Sequence, residues 1–218
     1  MKQIAPGLFT FTGLLMGRVY LLEGVDGLTV VDAGLFGAGK AIVKELVESG
    51  RKPTDVKRIL VTHAHPDHIG GLKDLQLQTG ATVVTSAGER DVIEGKARMK
   101  PQNNVWKETV MVGRVVTEGE KIDGVLGGLT VLATPGHTSS HLSFWQADQK
   151  IVFTGDVMMN MFSLTLPFAA FTVDMAQDRR SVMKVAELAP AIVCFGHGPV
   201  LMEDAADQVM GFAKKQNG

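Results

Sequence analysis

The run His63-Ala64-His65-Pro66-Asp67-His68 places three imidazoles and a carboxylate side by side. Imidazole nitrogens and carboxylate oxygens are borderline-to-hard donors that suit Zn²⁺, and also Fe or Mn. Further donors of the same kind follow short β-rich runs. Thr130 to Thr134 leads through Pro135 and Gly136 into His137. Ile151 to Thr154 leads through Gly155 into Asp156, and Ala191 to Phe195 leads through Gly196 into His197. The first cluster itself follows Arg58 to Thr62. If these four runs are strands pointing one way, their ends meet along one edge and bring His63, His65, Asp67, His68, His137, Asp156 and His197 together. Seven donors exceed what one tetrahedral ion takes; they suffice for two ions sharing a carboxylate and a bridging water. Such a pair lowers the pKa of water to about 7 and supplies hydroxide at neutral pH.

Each residue also has a plain structural reading. Asp67 stands before an apolar helical run and could only cap it, Asp156 after glycine could form an Asx-turn, and a single His137 or His197 could be a turn histidine. Five of the six histidines nevertheless fall in these four loops, and that coincidence favours a metal site. Gly136, Gly155 and Gly196 are expected to allow the sharp turns that aim the ligands inward. His141 begins a strand and is expected to make a structural hydrogen bond. Cys194, the only cysteine, lies in an apolar run and is expected to be buried packing; one cysteine also excludes an intrachain disulfide and a Cys-rich metal site.

The elements that must position these residues follow from periodicity. Leu8 to Thr12, Val19 to Glu23 and Leu28 to Asp32 are β-rich runs separated by glycines, an antiparallel meander. Ala38 to Ser49 carries Ile42, Val43, Leu46 and Val47 on one helical face, with Gly50 as its stop. A helix is expected near Ile69 to Thr79 and a strand at Thr82 to Ser86. Glu89 to Val116 has no clear period and is read as a helix plus a covering loop. Strands follow at Thr130 to Thr134, His141 to Trp145 and Ile151 to Thr154. Asp174 and Gln177 form a capping box for a helix ending at Pro190. Ala191 to Phe195 is the last strand and Glu203 to Lys215 the last helix.

The chain has 218 residues, 45% hydrophobic and 21% charged, with no linker or block of like charge, so one domain over residues 1–218 is expected. A net charge of -1 argues against a nucleic-acid partner. The start of the chain lacks a signal-like apolar core, since Pro6 and Gly7 interrupt it, and no run reaches the roughly 20 apolar residues of a membrane span. The cytoplasm is the expected compartment. Oligomeric state is not legible.

The spacing His63-x-His65-x-Asp67-His68, followed by Gly70-Gly71, resembles the metallo-β-lactamase-fold superfamily. The resemblance continues through Val30-Val31-Asp32-Ala33-Gly34, Pro135-Gly136-His137-Thr138, Thr154-Gly155-Asp156 and Gly196-His197-Gly198-Pro199, and spans Leu8 to Met202. It implies an α+β fold, a four-layer αβ/βα sandwich with metals at the sheet edges. It further implies that His63, His65 and His137 hold one metal, that Asp67, His68 and His197 hold a second, and that Asp156 bridges them. Asp67 and Asp156 are then the catalytic carboxylates. Asp32 matches the family's early acidic residue, either a partner that orients a ligand or a strand-end turn residue.

Fold does not settle substrate. Asp156 departs from the His-rich lactamases, which generally lack this bridge. His65 departs from the diiron oxygen reductases. About twenty residues follow His197, where glyoxalase II-like enzymes carry a glutathione-binding helical domain. Lactonases of this type carry a tyrosine shortly after the bridge; here stand Val157, Met158, Met159 and Asn160, and Tyr20 is the only tyrosine. The expectation is a glyoxalase II or lactonase-like hydrolase attacking an ester, lactone or thioester with metal-bound hydroxide. A mononuclear-iron, persulfide-dioxygenase-like oxidoreductase and a β-lactamase remain as alternatives. Leu14, Leu15 and Met16 are expected to lie over the metals. The Met- and Phe-rich stretch from Met158 to Phe171 either lines the mouth, favouring a small substrate with an apolar portion, or packs in the core.

Overall fold

The computed structural model describes residues 1–217. One sheet holds seven strands, β1 (Lys2–Ala5), β2 (Leu8–Thr10), β3 (Tyr20–Gly24), β4 (Gly27–Val31), β5 (Val56–Leu60), β6 (Thr82–Thr85) and β7 (Arg114–Val115), adjacent in that order. Pairing is antiparallel from β1 to β4, the expected meander with one earlier strand added, and parallel from β4 to β7. The second sheet is β8 (Lys121–Ile122), β9 (Leu129–Ala133), β10 (Leu142–Gln146), β11 (Ile151–Gly155) and β12 (Ile192–Phe195), antiparallel except for the parallel pair β11–β12. The helices are α1 (Ala38–Glu48), α2 (Pro66–Ile69), α3 (Leu72–Thr79), α4 (Ala87–Ile93), α5 (Met175–Glu187) and α6 (Ala205–Asn217).

Strand periodicity builds the four layers, because successive side chains leave a strand on opposite faces. Val30, Ile59 and Val83 point from the first sheet to Ile42 and Leu46 of α1 and Leu75 of α3. Their neighbours Val31, Leu60 and Val84 point the other way, onto Phe144, Ile151 and Phe153 of the second sheet. Val152 and Val193 leave that sheet outward, against Val182 and Val185 of α5 and Val209 of α6. Strands buried on both faces read as continuous apolar runs, as these do. The αβ/βα sandwich is therefore the observed architecture. Cys194 is buried between the sheets as packing.

The helix expected from Ile69 to Thr79 is broken in two. A Cβ on Gly70 would stand 2.4 Å from Phe36 N, and one on Gly71 2.4 Å from Ala33 O, so the α2–α3 junction packs backbone against backbone where β4 passes into α1. Asp174 Oδ1 accepts the N–H of Gln177 and starts α5 as expected, but the Gln177 side chain turns to Arg180, so only half of the capping box forms. The stretch from Glu89 to Val116 holds most of α4, then an antiparallel ribbon of Arg98–Met99 with Asn104–Val105, then β7 at the sheet edge. No helix among the described residues is long and apolar enough to cross a membrane.

Candidate metal centre

The four ligand loops leave β5, β9, β11 and β12. Two successive antiparallel pairings give β9 the direction of β11, and β12 runs parallel to β11, so these three strands deliver their loops to one end of the second sheet. The sheets are pinned together at that end. Leu142 N donates to Thr62 O at 2.9 Å, Arg18 N donates to Gly196 O at 2.7 Å, and the Tyr20 hydroxyl donates to Phe195 O at 2.7 Å. Gly155 sits at φ 52°, where a side chain would be strained. Gly196 needs room instead: a Cβ there would lie 2.1 Å from Asp156 Oδ1. The turn expected at Gly196 is thus a requirement for space at the carboxylate.

All seven sequence-derived residues converge. His63, His65 and His137 form one group whose donor atoms lie within 4.8 Å of one another, Asp67, His68 and His197 form another on the same criterion, and His63, His68 and Asp156 form a third that runs between them. Asp156 joins them: Oδ1 is 3.3 Å from His68 Nε2, and Oδ2 is 3.5 Å from His137 Nε2 and 3.3 Å from His197 Nε2.

Second partners fix which nitrogen faces inward in four of the rings. His63 Nδ1 meets Thr62 Oγ1 at 3.0 Å, His68 Nδ1 meets Asp32 Oδ2 at 2.8 Å, and His137 Nδ1 meets Thr172 Oγ1 at 3.2 Å. His65 is reversed, with Nε2 on the carbonyl of Lys100 at 3.0 Å and Nδ1 turned to His137. Such outer contacts orient metal-binding imidazoles. His63 Nε2, His68 Nε2 and Asp156 Oδ1 are buried without a hydrogen-bond partner. The 3.3 Å between the last two lacks hydrogen-bond alignment, so both atoms address a common point. A buried polar atom without a partner is costly, and a cation among these donors removes that cost. The residues therefore fit divalent metal ions.

The charges agree. Burial, with the neighbouring histidines adding to it, pushes His63 well below the ordinary range; burial likewise takes His137 down to about 4, against the attraction of Asp156. Both rings are neutral and ready to donate a lone pair. Burial also acts to lower His68 and His197, but Asp156 and Asp32 outweigh it at His68, and the hydrogen bonds that His197 donates to Asp156 and Asp67 raise it to about 9. Burial would raise Asp67 and Asp156, yet the facing histidines hold Asp67 at about 2 and Asp156 well below its usual value. Without ions, protons on His68 and His197 balance the carboxylates.

Several contributors were not singled out in the sequence. Glu89, buried on α4, accepts from Ala64 N at 2.8 Å, from Ser140 Oγ at 3.0 Å and from the Thr138 hydroxyl, tying the His63–His65 loop to the His137 loop. Asp178 accepts the N–H of His137 at 3.2 Å, and burial raises its carboxyl to about 8. Thr172 holds the His137 ring. Glu89 lies where periodicity was weak, and the other two carry no motif. His141 makes the structural bonds expected of it, to Thr134 Oγ1 at 2.9 Å and from Asp156 N at 3.1 Å, so both its nitrogens are occupied.

A cavity of about 970 Å³ opens onto His65, Asp67, His137, Asp156 and His197. Leu14, Leu15 and Met16 form one wall, as expected. The Met- and Phe-rich stretch divides: Met159, Met161, Phe168 and Phe171 line the cavity, whereas Met158 is buried in the core beneath α5 and α6.

The model of the metallo-beta-lactamase superfamily matches residues 12–197. The uncharacterized protein YobT of Bacillus subtilis strain 168 is 28% identical over 95% of this chain and 94% of its own length. A hydroxyacylglutathione hydrolase of Methylococcus capsulatus is 34% identical over 64% of this chain, and the match takes in 47% of that protein, so the chain spans about half of such relatives. A metallo-beta-lactamase family protein from Thermus thermophilus superposes with a TM-score of 0.73 at 21% identity, over 98% of this chain and 80% of that one, a likeness of fold. With a family match that runs from the loop after β2 to the last histidine of the cluster, the chain belongs to the metallo-beta-lactamase superfamily.

Proposed function

We propose that the chain is a hydrolase that holds two divalent ions, zinc suiting the donors best, and opens the carbonyl of a small ester, lactone or thioester with an apolar portion. The observation that supports this most is the pair of donor groups joined by Asp156, which reaches a histidine of each. Ions bound there supply an activated water at neutral pH and a Lewis acid for the carbonyl oxygen. The chain's own part is orientation and exclusion. Thr62, Asp32, Thr172 and the Lys100 carbonyl hold the imidazoles with their donor atoms inward. Leu14, Met16, Met159 and Phe168 keep water from an apolar substrate portion.

The two carboxylates on the cavity wall, Asp67 and Asp156, are both held ionised, so neither has a proton for an amine leaving group. Alcohols and thiols leave more readily, which favours esters and thioesters over amides. A panel of thioesters, lactones, esters and β-lactams tests the reading. The expected result is turnover of the first three classes, abolished by chelation and restored by zinc. Penicillin hydrolysis faster than that of every ester would contradict it, as would an absence of hydrolysis with oxygen uptake on glutathione persulfide.

A further inference from the structure

Arg18 has no place in the metal cluster, yet it lies on the wall of the same cavity. It is anchored on both sides of His197: its backbone N–H donates to Gly196 O at 2.7 Å, and its Nε donates to Gly198 O at 3.1 Å. The approach is close along the whole segment, since a Cβ on the preceding Gly17 would stand 2.3 Å from Asp67 O. The guanidinium is therefore held beside the ligand loops. One N–H of its fork is used, and no carboxylate pairs with the rest among the described residues. Arg51, Arg58, Arg90 and Arg114 each pair with a carboxylate, and Arg98 and Arg180, which donate to the Asn103 carbonyl and the Gln177 amide oxygen instead, are exposed. Arg18 is half-buried, and it is the only Lys or Arg on the wall of this largely apolar cavity. A partly desolvated cation without a counter-ion favours an anion brought by the ligand. The planar fork matches a carboxylate.

We propose that Arg18 anchors a carboxylate on the substrate, so that the site takes an acyl compound carrying one negative charge at the end of an apolar chain. One cation on an apolar wall matches a monoanion better than a phosphate dianion. This deepens the hydrolase reading and rests on it. Arg18 is a specificity residue here: it holds the far end of the substrate while the metal-binding groups face the carbonyl.

The test is equilibrium binding, which needs no turnover. The probes are two alkyl thioethers of equal length, non-hydrolysable, one ending in a carboxylate and one in the amide, titrated calorimetrically into the zinc-loaded protein. The expected preference for the carboxylate is about 10- to 100-fold, the range of a hydrogen bond to a charged group. Arg18→Gln should collapse that ratio to within about threefold, and Arg18→Lys, which keeps the charge but not the fork, should fall between. Equal binding of the two probes by the unmodified protein overturns the proposal. So does a preference that persists in Arg18→Gln, because the metals alone would then be reading the carboxylate. A retained, Arg18-dependent preference in a protein that hydrolyses none of the thioesters or esters would leave this anchor standing and remove the hydrolase reading.

Discussion

Asp32 Oδ2 lies 2.8 Å from His68 Nδ1, while Oδ1 of the same buried carboxylate accepts Thr62 N at 2.8 Å. Thr62 Oγ1, which also meets Asp32, contacts His63 Nδ1 at 3.0 Å. One side chain therefore governs an imidazole in each donor group. Asp32 does this from a left-handed backbone, φ 61°, at the end of β4. Aspartate tolerates that conformation better than most residues, so the strand-end turn and the contact with His68 occur together in one residue.

Asp32→Asn keeps the size but puts an amide beside Thr62 and His68. Loss of an outer partner of this kind typically weakens metal binding about 10- to 100-fold. Competition against a chelator of known affinity should show that loss. Unchanged affinity with only a lower melting temperature would confine Asp32 to its turn.

Glu89→Ala removes the acceptor for Ala64 N–H and the hydroxyls of Thr138 and Ser140 at once. Each buried donor left unpaired costs roughly 1–3 kcal/mol. The variant should lose about 3 kcal/mol in urea unfolding and bind zinc more weakly, because both ligand loops are released, whereas Glu89→Gln should do less harm. A loss under about 0.5 kcal/mol, the scale of an ordinary surface change, would show that Glu89 is not a tie between the loops.

Legibility followed the strength of the local signal. The seven cluster residues could be read because each sits directly after a β-rich run, where strand order carries it to a shared edge. The sandwich was legible only through the motifs that carry the family resemblance; Val30-Val31, Ile59-Leu60 and Ile151-Val152-Phe153, apolar on both faces, are how the strands fill it. Glu89 was not, because its meaning comes from Ala64 and Thr138, distant in sequence and joined only by the fold. The break at Gly70-Gly71 was missed for the same reason: the close approach of Ala33 and Phe36 belongs to tertiary packing, while the apolar period runs on through it.

Acid–base behaviour gives an independent check. In the metal-free protein the raised pKa of His197, about 9, favours the folded state fully below its unfolded value near 6.5, and that contribution fades as pH rises through 9. His137, lowered to about 4, acts in the opposite window, with stability lost as pH falls from 6.5 through 4. Asp178, raised to about 8, opposes His137 below pH 6.5 and adds to His197 above it, so the metal-free melting temperature should fall as pH rises from 6.5 through 9. Zinc binding at about pH 7 should also release protons from His68 and His197, since ligands bind deprotonated. Calorimetry in buffers of different ionisation enthalpy measures this directly; zero proton release would mean that the two histidines are already neutral in the metal-free protein or do not bind zinc.

The most direct test of the central claim is metal stoichiometry, measured by elemental analysis on the unmodified protein and on Asp156→Ala. The account predicts two ions per chain in the first, one for each donor group. It predicts about one in the second, retained by His63, His65 and His137, with most hydrolytic activity gone. Saturation of the unmodified protein at a single ion, or an Asp156→Ala variant that keeps two ions and near-normal turnover, would contradict it.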